Sequence, residues 1–366
     1  MLSGITTKLS IILWPLSLLY GVVVRLRNQL FDWGILKSKT YDVPVICIGN
    51  LAVGGTGKTP LTEYLIRMLK NKFRIAVVSR GYKRNSKGLL LATCEHSCRE
   101  IGDEPFQMRQ KFPDILIAID GNRCRAIEHL LALPKEQRPE VILLDDAFQH
   151  RYVSASFSIL LTDYGNMFYQ DHLLPIGRLR EPANGKQRAD LIIVSKTPKD
   201  LKPIEYRITE TNMHLKAHQT VFFTYIEYGV LRPVFPEAVP IKHPLPKEYS
   251  ILIVTGIASP RPLIEEIGKW GNETQILSFP DHHDFKESDI KKIQARFQAI
   301  PNKQKIILTT EKDASRLSQN LHVTDNIKQN SFYIPICVDF QNGRDNEFEH
   351  TIIKHIKTFQ QNKILW

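Results

Sequence analysis

Several short runs in this chain hold residue types that could move a phosphoryl group. GNLAVGGTGKTP, residues 49–60, ends in the Gly57-Lys58-Thr59 of a phosphate-binding loop, G-x-x-x-x-G-K-[ST], but has Ala52 where that pattern opens on glycine. Amides of Gly54, Gly55, Thr56 and Gly57 would approach phosphate oxygens at a helix N-terminus. Lys58 would reach the β- and γ-phosphates, and the Thr59 hydroxyl would ligate Mg²⁺. VILLDD delivers Asp145 and Asp146 at the end of an apolar run, where a carboxylate can hold Mg²⁺ directly or through water. A helix cap or turn explains one aspartate well, but less well two followed by Gln149 and His150.

Further polar residues are spread along the chain. IGDEP (101–105) adds Asp103 and Glu104, which alone read as a capping turn. Arg80 of SRGY, Arg123 and Arg125 of DGNRCR, and Arg178 and Arg180 of PIGRLREP each read singly as surface arginines. Together, after successive strands, they suggest a phosphate-bearing substrate. PDHHDF (280–285) holds His282 and His283, and a phosphoryl transfer needs a His or Asp to orient or deprotonate the attacking hydroxyl.

These residues need a scaffold that brings strand ends together. DVPVICIGN (42–50) is an apolar, β-branched run ending at the glycine loop. PLTEYLIRMLKNK follows with helical spacing through Leu61, Leu65, Ile66 and Leu69. FRIAVVSRGY (73–82), DILIAID (114–120), EVILLDDAFQH (140–150), SFSILLTDY (156–164) and ADLIIVSK (189–196) are further buried-strand candidates. Helical or loop segments separate them, which predicts an α/β, P-loop NTPase-like fold. Its sheet is mostly parallel, with helices on both faces and ligands beyond the carboxyl ends of the strands.

The pattern changes near residue 218. QTVFFTYIEYGVLRPVF reads as extended segments broken at Gly229, followed by the proline-rich PEAVPIKHPLP. YSILIVTGIASPRPLIEEIGKWG and KQKIILTTEKDASRL then repeat the strand, loop and helix theme. The expected organisation is an apolar segment over 1–30, a kinase-type core over 31–217, an extended linker over 218–247 and a smaller α/β domain over 248–331. A return strand and C-terminal helix over 332–366 complete it.

With 366 residues, 43% hydrophobic and 24% charged, the chain can bury a sizeable core. A net charge of +11 calls for an anionic partner. The basic residues are scattered, without the blocks or aromatic signatures of RNA binding, so nucleic acid is not expected. Five cysteines without paired C-x-x-C spacing fit a reducing compartment; Cys94 and Cys98 beside His96 read as a solvated loop rather than a ligand cluster.

Between Lys8 and Arg25 lie sixteen uncharged residues, LSIILWPLSLLYGVVV. As a helix they span about 24 Å, short of the roughly 30 Å hydrocarbon core, and Pro15 and Gly21 weaken a straight span. No small-residue cleavage site follows, so a signal peptide is not indicated. Trp14, Tyr20, Arg25, Arg27 and Trp33 frame the stretch like interfacial anchors. It reads as a monotopic segment in a membrane face, which does not exclude packing on the protein's own core.

Taken in order, GNLAVGGTGKTP, SRGYKR, GDEP, NR, LLDDAFQH, LLPIGRLREP, SK, VTGIASP, DHHDF and TTEKDASRL resemble the tetraacyldisaccharide 4'-kinase family of Gram-negative bacteria over nearly the whole chain. The resemblance implies ATP-dependent transfer of a γ-phosphoryl group to the 4'-hydroxyl of a tetraacylated glucosamine disaccharide 1-phosphate, a step of lipid A biosynthesis. It also implies two α/β domains joined by a two-stranded linker, with the site in the cleft between them. Asp103 of GDEP and His282 of DHHDF would form the acid/base pair, His282 being preferred over His283 because DH is the kept pair. Asp145, Asp146 and Glu181 would serve metal or phosphates. Arg80, Tyr82, Glu104, Arg123, Gln149, His150 and Arg180 are taken as substrate contacts. Ala147 stands where the family more often has glycine.

The implied cofactors are ATP and Mg²⁺. The implied partners are the acylated disaccharide and the inner-membrane surface, with no obligate protein partner. The implied location is the cytoplasmic face of that membrane, peripheral or monotopic, because extracting four acyl chains at about 0.8 kcal/mol per CH₂ is prohibitive. The rival reading is a regulatory GTPase or metallochaperone-type NTPase. Guanine selection normally uses N-K-x-D, of which VSKTP and TTEKD are only partial echoes.

Overall fold

A computed structural model describes residues 2–242 and 244–364, with side chains described for 13–242 and 244–362. Met1, Leu365 and Trp366 of the expected terminal segments, His243 of the expected linker, and the side chain of Lys8 lie outside the described residues.

The apolar runs of the core form one nine-stranded sheet. Across it the order is Ile336–Phe340, Thr220–Tyr228, Leu191–Ser195, Phe157–Asp163, Val45–Asn50, Val141–Asp145, Ile75–Ser79, Leu116–Ile119 and Leu90–Leu91. All neighbours are parallel except the pair at each edge. Every residue of Val45–Asn50, Val141–Asp145, Ile75–Ser79 and Leu191–Ser195 is buried, as helices on both faces require. Alternation along one strand feeds two cores: Ile46 and Ile48 enter one, Val45 and Cys47 the other.

Strands that follow Val45–Asn50 up to Asp145 lie on one side of it, and those after Asp145 lie on the other. The winding therefore reverses at the strand that carries the glycine loop, which is where an open α/β sheet forms its ligand crevice.

The second sheet has five strands in the order Glu273–Ser278, Ser250–Thr255, Lys305–Thr310, Ser331–Ile334 and Arg232–Pro233, the first four parallel. The stretch expected as an extended linker takes its partners from the large sheet and the late return strand. Thr220–Phe223 pair with Leu191–Val194 in the large sheet, and Thr224–Tyr228 continue as an antiparallel ribbon with Ile336–Phe340. The reason is burial: Val221, Phe222 and Phe223 are core residues of the larger domain. The run FYIPICVDF likewise serves both sheets, Ser331–Ile334 closing the small one and Ile336–Phe340 the large one. Pro335 sits between them, where its missing N–H costs no ladder bond.

One α-helix, Leu2–Asp32, runs through Pro15. Tertiary contacts beyond the proline hold it: Ser17 donates to the Leu173 carbonyl (3.0 Å), Tyr20 to that of Arg180 (2.7 Å), and Arg27 to that of Gln149 (3.0 Å). A Cβ on Gly21 would come within 2.7 Å of Leu173 Cδ1, so this glycine permits the close approach. The other face leaves Trp14, Leu16, Leu19, Val22, Val23 and Leu26 exposed. Among the described residues, no helix is long and apolar enough to cross a membrane.

Candidate active site

The glycine loop spans the gap between Val45–Asn50 and the helix Lys58–Leu69. Gly54 (φ 107°) and Gly57 (φ 83°) take left-handed backbone that a side chain would strain, and Gly57 caps the helix. Ala52 is not part of that curl. It forms an antiparallel bridge with Leu179, flanked by Val53 N–H to Arg178 O (2.7 Å) and Arg180 N–H to Leu51 O (2.7 Å). An extended residue accepts a Cβ, which is why glycine is dispensable there.

The loop is pinned from both sides. Buried Asn50 donates to Thr56 Oγ1 (2.8 Å), and Ser195 Oγ donates to the Thr56 carbonyl (2.8 Å). Lys196 donates to the Gly55 carbonyl and pairs with Asp163 at 2.8 Å. Sequence reasoning assigned no role to Asn50, Asp163 or Lys196; the available signal was their place at the ends of strands flanking the loop.

Lys58 Nζ lies 3.8 Å from Asp146 Oδ1, and Arg180 donates to both Asp146 oxygens at 2.8 and 3.3 Å. Burial alone would raise the Asp146 carboxyl, but Lys58 and then Arg180 outweigh it and hold it below the usual range. Asp145, at the strand end, is 1% exposed and accepts from Thr62 and Ser79 hydroxyls, both at 3.3 Å. Burial, reinforced by the charges of Glu104 and Asp146, pushes its carboxyl up to about 7. Thr59 stands half-buried in the first turn of the helix.

Glu181 is placed apart from this pair. It is 2% exposed and accepts from Asn28 (3.1 Å), Gln149 (2.8 Å) and Arg188 (2.9 Å). Among the described residues, no three or more His, Cys, Asp or Glu side chains form a group that could hold a metal, so Asp145, Asp146 and Glu181 are not assembled as one. The Cys94–His96–Cys98 stretch is not one either; Cys98 instead donates to Asp103 Oδ1 at 3.0 Å.

Arg123, Arg27 and Arg80 bring positive charge near His150. Burial, then the charges of Arg123, Arg27 and Arg80, lower His150 to about 4, so its ring is neutral at pH 7. Arg123 is 5% exposed; its Nη1 donates to the Gly121 carbonyl at 3.0 Å, and its Nε has no partner.

The two sheets meet at Asp103. Two glycine turns make this possible: Gly81 (φ 65°) and Gly102 (φ 90°) pack so closely that a Cβ on Gly102 would lie 3.1–3.2 Å from Tyr82 and Gly81 backbone. Asp103 opens the helix Asp103–Lys111, and His282 Nδ1 of the smaller domain lies 2.8 Å from its Oδ2. Tyr82 sets its ring edge on His282 with centroids 5.6 Å apart. His282 (φ 59°) turns across the cleft, while His283 bonds Asp289 (2.9 Å) and stacks on Phe279 within its own domain. The pair left open in the sequence is thus separated by packing.

Two cations missed by sequence reasoning complete the cluster. Arg316 Nε donates to Asp103 Oδ1 (3.2 Å) and its Nη2 to Oδ2, and Lys312 Nζ lies 3.1 Å from His282 Nε2. Their spacing of four in TTEKDASRL puts both on one face of the helix Glu311–Leu317, a signal that was available. Burial would raise Asp103, but the bonds from His282 and Arg316 outweigh it and hold the carboxyl far below the usual carboxylate range. At the other end of the same helix pair, Lys111 joins Glu63 (2.5 Å) and Glu311 (2.6 Å), tying the nucleotide-loop helix to both. Glu104, next to Asp103, is near enough to Asp145 for its charge to be felt there, so the two halves of the site adjoin.

The family model for tetraacyldisaccharide-1-P 4'-kinase (LpxK) matches residues 9–357. Tetraacyldisaccharide 4'-kinase of Parabacteroides distasonis is 50% identical over 360 residues, covering 98% of both chains. That of Bacteroides thetaiotaomicron is 49% identical over 358 residues, covering 96% of this chain and 94% of the relative. The crystal structure of LpxK from Aquifex aeolicus in complex with ATP superposes with a TM-score of 0.74 at 30% identity, covering 95% of this chain and 99% of that one. On sequence and fold alike, the chain belongs to the tetraacyldisaccharide 4'-kinase family.

Proposed function

We propose that this enzyme transfers the γ-phosphoryl group of ATP to the 4'-hydroxyl of a tetraacyldisaccharide 1-phosphate, using Asp103 and His282 on the acceptor. The observation that carries the assignment of roles is the Asp103–His282 bond, which joins the two domains beside the nucleotide loop. With Asp103 accepting at Nδ1, His282 turns Nε2 toward Lys312 Nζ at 3.1 Å, and the acceptor hydroxyl would take the place of Lys312 at that nitrogen. The acceptor oxygen bonds the γ-phosphorus as the bond from that phosphorus to the ADP oxygen breaks, and the hydroxyl proton passes to the dyad. Asp103, held ionised, stabilises the imidazolium that results. Lys58 and Arg180 face the side on which negative charge accumulates. The family match lends no support to the regulatory GTPase or metallochaperone alternative.

The residues fit Mg²⁺. The donors at the loop are oxygen only: the Thr59 hydroxyl and the carboxylates of Asp145 and Asp146. Magnesium takes few protein ligands and completes its shell with water and phosphate. When bound, it neutralises charge on the transferring phosphates. Glu181, held by three donors, acts instead through Gln149 and Arg188 as a support for the Asn50–Arg180 corner. The exposed apolar face of the N-terminal helix and the net charge of +11 support work at an anionic inner-membrane surface from the cytoplasmic side.

The test is a labelled-ATP assay on detergent-dispersed acylated disaccharide 1-phosphate, with the position of the new phosphate determined. Lys58→Ala should abolish transfer, and Asp103→Ala should lower kcat with little change in ATP affinity. Equal loss of ATP binding in both variants would refute the roles given to Asp103 and His282.

A further inference from the structure

Two carboxylates are buried where the domains meet, at the opposite end of the helix that Asp103 opens. Glu63, in the helix Lys58–Leu69, is 1% exposed, and Glu311, which begins the helix Glu311–Leu317, is 7% exposed. The helix Asp103–Lys111 runs between them and supplies their donors. Lys111 Nζ lies 2.5 Å from Glu63 Oε2 and 2.6 Å from Glu311 Oε2. Gln107 Nε2 donates to Glu63 Oε1 (2.7 Å) and to Glu311 Oε2 (3.2 Å), so each donor bridges both acceptors. Arg67 stands off Glu63 at 3.9 Å, and Arg232 adds a weaker attraction at Glu311. Burial holds the Glu311 carboxyl above its ordinary value despite the pull of Lys111, so this charge is kept at a cost. Buried ion clusters add little net stability, because desolvation offsets most of the attraction; their better-attested use is to fix one arrangement among several.

The spacing shows which arrangement is fixed. Asp103, Gln107 and Lys111 recur at every fourth residue and lie along one helix face. Asp103 at the N-terminal end meets Arg316, while Gln107 and Lys111 toward the other end meet Glu311. Glu63 lies little more than one turn beyond Lys58, in the helix whose first turn faces the phosphates. One set of polar contacts thus joins the helix that seats the nucleotide to the helix that carries the base.

We infer that Glu63, Gln107, Lys111 and Glu311 are positioning residues for phosphoryl transfer. They lock the Asp103 helix between the nucleotide-loop helix and the smaller domain, and so fix where the base stands relative to the γ-phosphate. The inference rests on the roles proposed for the glycine loop and Asp103. A misplacement of about 1 Å caused far from the chemistry can cost about a hundredfold in rate. Its signature is a loss in kcat that the binding of the substrates does not share.

The test uses the full-length enzyme in neutral detergent, at a temperature where circular dichroism shows each variant fully folded. Glu63→Gln cuts the bridge on the nucleotide side and leaves Lys111 paired with Glu311; Glu311→Gln cuts the other side. In both, kcat should fall roughly tenfold or more, while KM for ATP and for the acylated disaccharide 1-phosphate stays within about twofold. Hydrogen exchange read by mass spectrometry needs no turnover. A non-hydrolysable ATP analogue with Mg²⁺ should slow exchange roughly fivefold or more in both Lys58–Leu69 and Asp103–Lys111 of the wild type. In Glu63→Gln the slowing should persist in Lys58–Leu69 and vanish in Asp103–Lys111.

Unchanged kcat in the folded variants, or a loss confined to KM for ATP, overturns the positioning role and leaves the cluster a matter of stability. Protection of Asp103–Lys111 that survives in Glu63→Gln overturns it too, since the nucleotide then reaches that helix by another route. A wild type that binds the analogue but phosphorylates no acceptor overturns the proposed function, and this role with it. A failure of the bridge alone leaves wild-type turnover intact.

Discussion

Asp145 stores an electrostatic cost that can be measured without substrate. Its carboxylate is 1% exposed, and burial with the nearby charges of Glu104 and Asp146 moves its titration from 3.8 to about 7. A raised acid is fully compatible with folding while both states are protonated, below the unfolded value. Between about 3.8 and 7 the unfolded chain releases its proton while the folded protein keeps it, so stability falls as pH rises through that window and levels off above it. At 1.36 kcal/mol per pH unit, the penalty is about 2 kcal/mol at pH 5 and about 4 kcal/mol at pH 8. Asp145→Asn removes the charge and keeps partners for the Thr62 and Ser79 hydroxyls, since an amide both accepts and donates. The variant should therefore be inactive yet more stable than the wild type, with an advantage that grows by about 2 kcal/mol from pH 5 to pH 8. Urea unfolding of both proteins, free of nucleotide and metal, at pH 5, 6, 7 and 8 gives this difference directly and cancels the titration of other groups. An advantage that stays flat with pH, or a variant less stable at pH 8, would show that Asp145 is not a buried, strained carboxylate.

Arg316→Met leaves Asp103 with burial uncompensated on one side. Asp103 is a depressed acid, so its stabilisation is present above the unfolded value near 3.8 and survives well into acid. The variant should lose about 3 kcal/mol at pH 7, unfold at a higher pH in an acid titration followed by circular dichroism, and drop in kcat with ATP KM nearly unchanged. Lys111→Met leaves Glu63 and Glu311 facing each other without their shared ammonium, and should cost about 3 kcal/mol in urea unfolding. Adding Glu63→Gln and Glu311→Gln should recover part of that loss; no recovery would mean that the lysine acts through packing alone. Leu19→Glu/Val23→Glu places charges on the exposed face of the N-terminal helix, and should lower partitioning onto phosphatidylglycerol vesicles by tenfold or more in a sedimentation assay. Unchanged partitioning would assign that face no membrane role.

Much of the large sheet was legible because a parallel strand covered on both faces must be apolar along its whole length. VICIGN, IAVVS, LIAI, VILLD, FSILLTD and LIIVS therefore announce themselves without knowledge of their neighbours. The glycine loop was legible for a related reason: left-handed backbone at Gly54 and Gly57, followed by Lys58 and Thr59, is a local arrangement encoded within a dozen residues. The linker was legible as extended chain but its sheet partners were not, because extended, half-apolar segments look alike whether they cross a gap or join a sheet edge. Only pairing with Leu191–Ser195 and Ile336–Phe340 distinguishes the two.

The amino-acid sequence by itself determined the strand set, the nucleotide loop and the kinds of group gathered around it, since each depends on contacts within a few residues or on burial of a whole strand. The tertiary structure decided which groups act together. It set His282 against Asp103 and His283 against Asp289, placed Arg316 and Lys312 beside the Asp103–His282 contact, committed Glu181 to Asn28, Gln149 and Arg188, and turned Ala52 from a missing glycine into a bridge to Leu179. Asp103 and His282 are 179 positions apart, and no local propensity carries information over that distance. Their meeting follows from two sheets docking through a shared ribbon and an antiparallel pair of helices pinned at both ends, a matter of packing rather than of pattern.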